Sequence, residues 1–352
     1  MLLFSMAFLF TPSVLAAEQY PVKAVVVTMF EHGEVTGDRP GELQFWVEDY
    51  PLETQIQFEL GEYPLFYNAE DQVLAICVGG GIPNATASIM ALGLDARFDL
   101  SASYWLVAGI SGGDPQDTSL GSAVWAHHVV DGDLLYEIDA REIPAGWPYG
   151  IIPLGGVAPA SEPEDISTGW TVDTIHFALN QELANWAYQV SKAVTLPDTP
   201  EMAAFRQQFV GHAAARQPPS VSIGDTLSAS TYWHGTHLNQ WANDWIRLYA
   251  GKDANFVTSN MEDSGTLTAL HRLARQQLID PQRIMVLRTI SNYTAPPAGK
   301  TAAWSTTAEY PNRGVPALRS AFRVGEHVIK RLVKDWSEVS TNTPAVAKLA
   351  TP

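Results

Sequence analysis

QVLAICVGGG (72–81) runs into NATASIMALGL (84–94), and this junction decides the fold. The first stretch is a short apolar run, the pattern of a strand buried on both faces. Three glycines end it. The second stretch has apolar residues at helical spacing, with Asn84 placed to cap its start. YWLVAGISGG (104–113) repeats the device of an apolar strand closed by glycines. VKAVVVTMF (22–30) and RIMVLRTISN (283–292) read as further buried strands, and GSAVWAHHVVDGDLLYEI (121–138) as a bent or antiparallel one. Helical patterns fall at 173–194, 200–216, 261–279 and 314–336. Strands alternating with helices predict an α/β fold, a mostly parallel sheet covered on both faces.

The chain has 352 residues, of which 46% are hydrophobic, ample for a packed core. Its net charge of -17 repels phosphate backbones and anionic lipid surfaces, so no nucleic-acid partner is expected. One cysteine, Cys77, excludes a disulfide within the chain and any cysteine-based metal site. H-x-x-H at His234 and His237 lacks a third ligand, so no metal and no cofactor are expected. Residues 1–16, MLLFSMAFLFTPSVLA, end in the small residues of a signal-peptidase site. No Lys or Arg precedes that apolar stretch, which departs from the usual leader. The expectation is export to the periplasm or beyond, with one domain over 17–337 and no transmembrane span. The Pro/Gly-rich segment 139–170 reads as an excursion or lid within that domain, and 338–352 as a disordered tail.

In parallel α/β sheets, ligands bind beyond the carboxyl ends of the strands. Gly80 and Gly81 lie at one such end, and Gly109, Ser111 and Gly112 at another. Neither group fits a dinucleotide or P-loop motif, and each also fits an ordinary tight turn. NMEDSGTL (260–267) opens a helix and sets Met261 and Glu262 near the strand ends. A carboxylate there can accept hydrogen bonds from two neighbouring hydroxyls, or simply complement the helix dipole. RTISN (288–292) ends a strand on Asn292, whose amide offers a donor and an acceptor.

Taken in order, these pieces resemble the nucleoside phosphorylase/nucleosidase superfamily, and within it the purine nucleoside permease family. VTMFEHGEV (27–35), FDLSASYWLVAGISGG (98–113), LLYEIDAREIP (134–144), YWHGTHL (232–238), MEDSGTL (261–267) and VLRTISNYTAPPAGK (286–300) carry the likeness over nearly the whole chain. The resemblance implies a three-layer fold with a central mixed, partly barrel-like sheet. It also implies a site for a purine nucleoside, near a subunit interface as in a homo-oligomer. Glu262 then matches the glutamate that holds the ribose hydroxyls, and Met261 the methionine that packs on the sugar. Tyr232, Trp233 and His234 fall where the base is bound. Asn292 stands where many members carry an aspartate that protonates the purine, and Asn there goes with 6-oxopurines. Asp263 is the nearest spare carboxyl that could substitute as the acid. Glu31 matches the acid that activates water in the nucleosidase branch. Val107 and Ile110 occupy the places of phosphate ligands, which favours hydrolysis over phosphorolysis. The alternative is a soluble nucleoside-capture component of transport with little catalysis.

Overall fold

The computed structural model describes residues 19–166 and 172–347. Its centre is a ten-stranded sheet. In chain order the strands are β1 (Ala24–Thr28), β2 (Thr54–Ile56), β3 (Leu65–Asn68), β4 (Val73–Cys77), β5 (Tyr104–Gly113), β6 (Ala123–Asp131), β7 (His176–Ala178), β8 (Val221–Ser228), β9 (Phe256–Asn260) and β10 (Ile284–Tyr293). Strands β4, β1 and β5 pair in parallel, and β3 and β2 extend that edge antiparallel. The other half closes on itself. β10 pairs with both β5 and β6, β6 with β8, β8 with β9, and β9 returns to β5. Five strands therefore form a barrel without a free edge.

The strands' alternation explains the layers. Along β1, Ala24 and Val26 face one core, and Val25 and Val27 face the other. The first core is covered by α1 (Gln44–Asp49), α3 (Gln181–Ser191) and α7 (Val315–Lys334). α7 buries Leu318, Phe322, Val328, Ile329 and Leu332, the three- and four-residue spacing of an amphipathic helix. The second core is covered by α2 (Ile82–Gly93) and α6 (Asp263–Arg275). Among the described residues no helix is long and apolar enough to cross a membrane.

Several boundaries differ from the sequence expectations. The helix expected at 173–194 begins at Gln181, because Asn180 caps it and β7 precedes it. The one expected at 200–216 stops at Arg206. α2 starts at Ile82, and Asn84 does not cap it; its amide donates to the Gly80 carbonyl. Strands β8 and β9 and the helix α5 (Thr236–Ala250) had no place in the sequence reading. The Pro/Gly-rich excursion forms a small hairpin, Leu135–Glu137 with Ile151–Pro153, whose Tyr149 and Ile151 pack with Trp241 and Trp245 of α5. Residues 167–170 of that excursion and the leader at 1–16 lie outside the described residues. The tail expected to be disordered from 338 is tied down at its start. Val339 is buried, its carbonyl accepts from Tyr104 Oη at 2.7 Å, and Arg283 donates to the Ser340 carbonyl at 2.6 Å.

Close contact between α2 and α6 holds the two turns that will form the site. Gly265 of α6 makes it possible: a β-carbon there would lie 2.4 Å from the Ile82 carbonyl oxygen. Gly265→Ala should destabilise the fold by about 1–3 kcal/mol in denaturant unfolding. A stabilised variant, as helix propensity alone would give, would show that the helices are not so closely packed.

Candidate active site

The site begins with the turns that end β4 and β9. Gly79 and Gly81 have φ near +87° and +88°, which only glycine adopts without strain. The Gly81 N–H donates to Glu262 Oε1 at 3.2 Å, and the Met261 N–H to Glu262 Oε2 at 3.2 Å. Asn260 caps α6 in place of Glu262, its Oδ1 accepting from the N–H groups of Glu262 and Asp263 at 3.1 and 2.9 Å. The Glu262 carboxylate is thereby free of capping and turned toward a cavity of about 210 Å³.

That cavity gathers Met261, Glu262, Ser111, Gly112 and Asn292 from the sequence-predicted set. Tyr232 and Trp233 line it too, with Phe30 and Ile110. A register shift in the β10–β5 ladder between Ile290 and Asn292 leaves Ser291 unpaired and sets Asn292 opposite Gly112. The Asn292 Oδ1 accepts from Ser291 Oγ at 3.0 Å and its Nδ2 donates to the Tyr293 carbonyl at 3.3 Å. Trp233 is fixed by packing on Trp241 and Phe256, whereas Tyr232 is 55% exposed.

Six of the expected residues do not line the cavity, Gly81 among them although its N–H holds Glu262. Glu31 does not line the cavity. Its carboxylate accepts from the N–H groups of Gly41 and Gln44, both at 2.7 Å, and of Leu43, so it is spent on the turn before α1. Asp263 is fully buried and held in a bidentate pair by Arg288, which leaves it no access to a substrate. His234 is buried with its Nδ1 against Ser305 Oγ at 3.1 Å, and burial depresses its pKa. Gly80 does not line the cavity either. Gly109 acts one step removed: a β-carbon there would lie 2.5 Å from Glu42 Oε1 and 2.6 Å from Arg288 Nη1. Of the two residues that the resemblance sets at phosphate-ligand places, Ile110 lines the cavity and Val107 is buried in the core shared with α2 and α6.

Glu42 is the residue that sequence reasoning missed. It lies just before α1 and faces the cavity. Its carboxylate bridges two strands, accepting from the Met29 N–H at 2.8 Å and the Ile110 N–H at 2.6 Å. Burial pushes its pKa up to about 8, Arg288 opposes that shift and Glu262 adds to it. Glu262 is also raised, again by burial first, while Arg288 holds it down. Arg288 itself lies 3.8 Å from Glu262 Oε2, donates to the Ile110 carbonyl at 3.1 Å, and is 1% exposed. Among the described residues no lysine, arginine or histidine lines the cavity. The only signal for Glu42 was a lone acid in the apolar GELQFWV (41–47).

With this geometry in place, comparison with known proteins gives a consistent result. Residues 21–344 match the family model described as purine nucleoside permease. The chain belongs to the purine nucleoside permease family. A Schizosaccharomyces pombe protein named a probable purine nucleoside permease is 29% identical over 283 residues, 78% of this permease-family chain and 80% of the yeast protein. The purine nucleoside permease of Candida albicans is 30% identical over 271 residues, which cover 76% of this chain and 65% of the Candida protein, just under two thirds of its length. Among solved structures, the 5′-methylthioadenosine/S-adenosylhomocysteine nucleosidases of Campylobacter jejuni and Neisseria meningitidis superpose with TM-scores of 0.52 and 0.51. Both share 15% identity with this chain and cover 89% of it, and 99% and 100% of their own lengths are matched. At that identity the likeness establishes the fold, a nucleosidase-type α/β architecture, and nothing about substrate.

The buried acid of this permease-family chain has a measurable consequence. Glu42 has its folded-state pKa raised from 4.5 to about 8, so its contribution to stability is complete below about pH 4.5 and lost as pH rises through 8. Wild-type stability should therefore fall across that window more steeply than that of Glu42→Gln, by up to about 1.4 kcal/mol per pH unit. Parallel pH profiles of the two in urea unfolding would show that Glu42 ionises normally.

Proposed function

We propose that this chain binds purine nucleosides and cleaves their N-glycosidic bond with water. The observation that carries the reading is a cavity faced by two carboxyl groups, Glu42 and Glu262, and lined by no cationic side chain among the described residues. A phosphate dianion would meet two acids there and, beside neutral hydroxyls such as Ser111, no cation to balance its charge. The nearest cation, Arg288, is committed to Asp263 and the Ile110 carbonyl. A water molecule suits the same surroundings, because a buried carboxylate can take its proton.

In this reading Glu262 accepts hydrogen bonds from the ribose 2′- and 3′-hydroxyls, and Met261 packs beneath the sugar. The C1′–N9 bond breaks with its electron pair leaving on the purine. Burial keeps Glu42 largely protonated at neutral pH; positive charge on the sugar favours its ionised form, and that first proton leaves to solvent water. Glu42 then accepts a proton from the attacking water as the oxygen bonds to C1′. Asn292 donates a hydrogen bond to the purine but has no proton to give. The departing base takes its proton from water, or from Glu42 once that group is protonated. Free ribose and free purine are the products.

A second reading has its own support. Asn292 in place of a proton donor, together with the family's permease name, suits a capture protein that holds nucleosides and turns them over slowly. Incubating the chain with inosine or adenosine separates the two. Ribose release that needs no phosphate supports hydrolysis; formation of ribose 1-phosphate overturns it; tight binding without turnover favours capture.

Two substitutions test the roles. Glu42→Gln should lower the rate of base release about 10²–10⁴-fold while nucleoside binding survives, as expected for loss of a proton acceptor. Glu262→Gln should instead weaken binding, by about 1.5–3 kcal/mol, since a charge-assisted bond to the sugar becomes a neutral one. Unchanged affinity in Glu262→Gln, measured by calorimetry, would remove the ribose from this end of the cavity.

A further inference from the structure

The cavity is not closed at the Asn292 end. A second space of about 900 Å³ opens beside it, and the two share Ile110, Tyr232, Ser291 and Asn292. None of Met261, Glu262 or Glu42 lines this annex. It therefore adjoins the end assigned to the base and not the end assigned to the sugar. Its lining mixes polar residues, such as Gln208 and Asn312, with an aromatic patch of Phe205, Tyr232 and Tyr310. Half-buried Phe205 lies 4.9 Å from the Tyr310 ring, centroid to centroid, and Tyr232 stands 55% exposed at the junction. Tyr310 is fixed in place by accepting the Tyr293 N–H at 3.1 Å. Charged side chains, Glu201, Glu309 and Arg313, are exposed around it.

Resting on the purine-nucleoside reading, we propose that the ligands this site prefers are purine nucleosides enlarged by an apolar group on the base, at the 6-amino position. An inner space of about 210 Å³ beside an annex of about 900 Å³ fits a ligand whose bulk lies beyond the purine. The amide at the border decides where the bulk attaches. With Oδ1 already accepting from Ser291 and one N–H given to the Tyr293 carbonyl, Asn292 keeps one donor and one acceptor, the complement of N7 and an N6–H on one purine edge, which departs from the 6-oxopurine that the resemblance implies. A secondary amine at position 6 keeps that N–H toward Asn292, and its substituent leaves from the other side of the same nitrogen. An aromatic or branched aliphatic substituent then removes apolar surface from water against Phe205, Tyr310 and Tyr232.

The test measures binding of adenosine, inosine and N6-benzyladenosine to the full chain by calorimetry. The expected result is at least tenfold tighter binding of N6-benzyladenosine than of adenosine. Ala204 lines the annex from an exposed position on α4 (Pro200–Arg206), so Ala204→Trp fills the space without disturbing the core. That variant should lose the tenfold preference and keep its affinity for inosine, which also reports that it is folded. Phe205→Ala should reduce the preference in the same direction. Binding of adenosine and inosine with weaker binding of the benzyl compound overturns the annex proposal and leaves the nucleoside reading intact. So does a preference that Ala204→Trp does not change. Failure of all three compounds to bind overturns both.

Discussion

One buried arginine sets the terms for the rest of the site. Arg288 is 1% exposed and lies among three carboxyl groups: Asp263 paired with it directly, Glu262 at 3.8 Å, and Glu42 within its field. An uncompensated charge at such depth would be prohibitive, so the cation requires at least one anion and Asp263 supplies it. The remaining two carboxyls then share what is left of the arginine's field. Both have raised pKa values because that share is smaller than the cost of their burial. The chain accommodates the crowding through Gly109, where any side chain would collide with both Glu42 and Arg288. A glycine in mid-strand usually weakens a sheet; here it is the space into which the charge cluster fits.

The two glutamates differ in how they are held, and this difference separates their chemistry. Glu262 accepts two N–H groups from turns at the ends of β4 and β9, both at 3.2 Å. Glu42 accepts its two at 2.8 and 2.6 Å, from residues at the end of β1 and within β5, and is deeper. The deeper group carries the value near 8, poised to change protonation near neutral pH. The shallower one is restrained by Arg288 and suits a fixed acceptor for hydroxyls. A pair whose environments push them to different tasks is the usual arrangement of acid–base sites.

What could be read from the sequence was whatever used hydrophobicity. Strands β1, β4, β5 and β10 stand out because their burial is nearly complete and their residues apolar. β8 and β9 escaped because barrel strands near the site bury polar groups instead: Asp225, Thr226, Ser228 and Asn260 are all buried and hydrogen-bonded. The site followed the same divide. Met261, Glu262 and Asn292 sit in motifs that announce a strand end or helix start. Glu31 and Glu42 sit on either side of a loop whose path no local pattern fixes. Only the folded chain shows that the first acid caps the loop's exit and the second enters the cavity. Asp263 illustrates the opposite error, an acid adjacent to the site in sequence whose charge is consumed by a partner 25 residues away.

Closure of the barrel also determines where specificity can arise. Five strands paired without an edge leave no lateral opening, so a ligand enters over the strand ends. There the Glu262 end is confined by the turns that meet at that residue, which are pinned by α2 against α6. The Asn292 end is bounded by β10 at its irregular point, where Ser291 drops out of register. A bulge lets the barrel wall depart from the regular ladder, and it is at this one that the two spaces join. In the proposed nucleoside reading, the tight half of the site addresses ribose, the feature all nucleosides share. The open half then addresses the base, where nucleosides differ. On that proposal, discrimination among ligands falls to Asn292 and the annex beyond it, while the charge cluster around Arg288 serves every ligand alike.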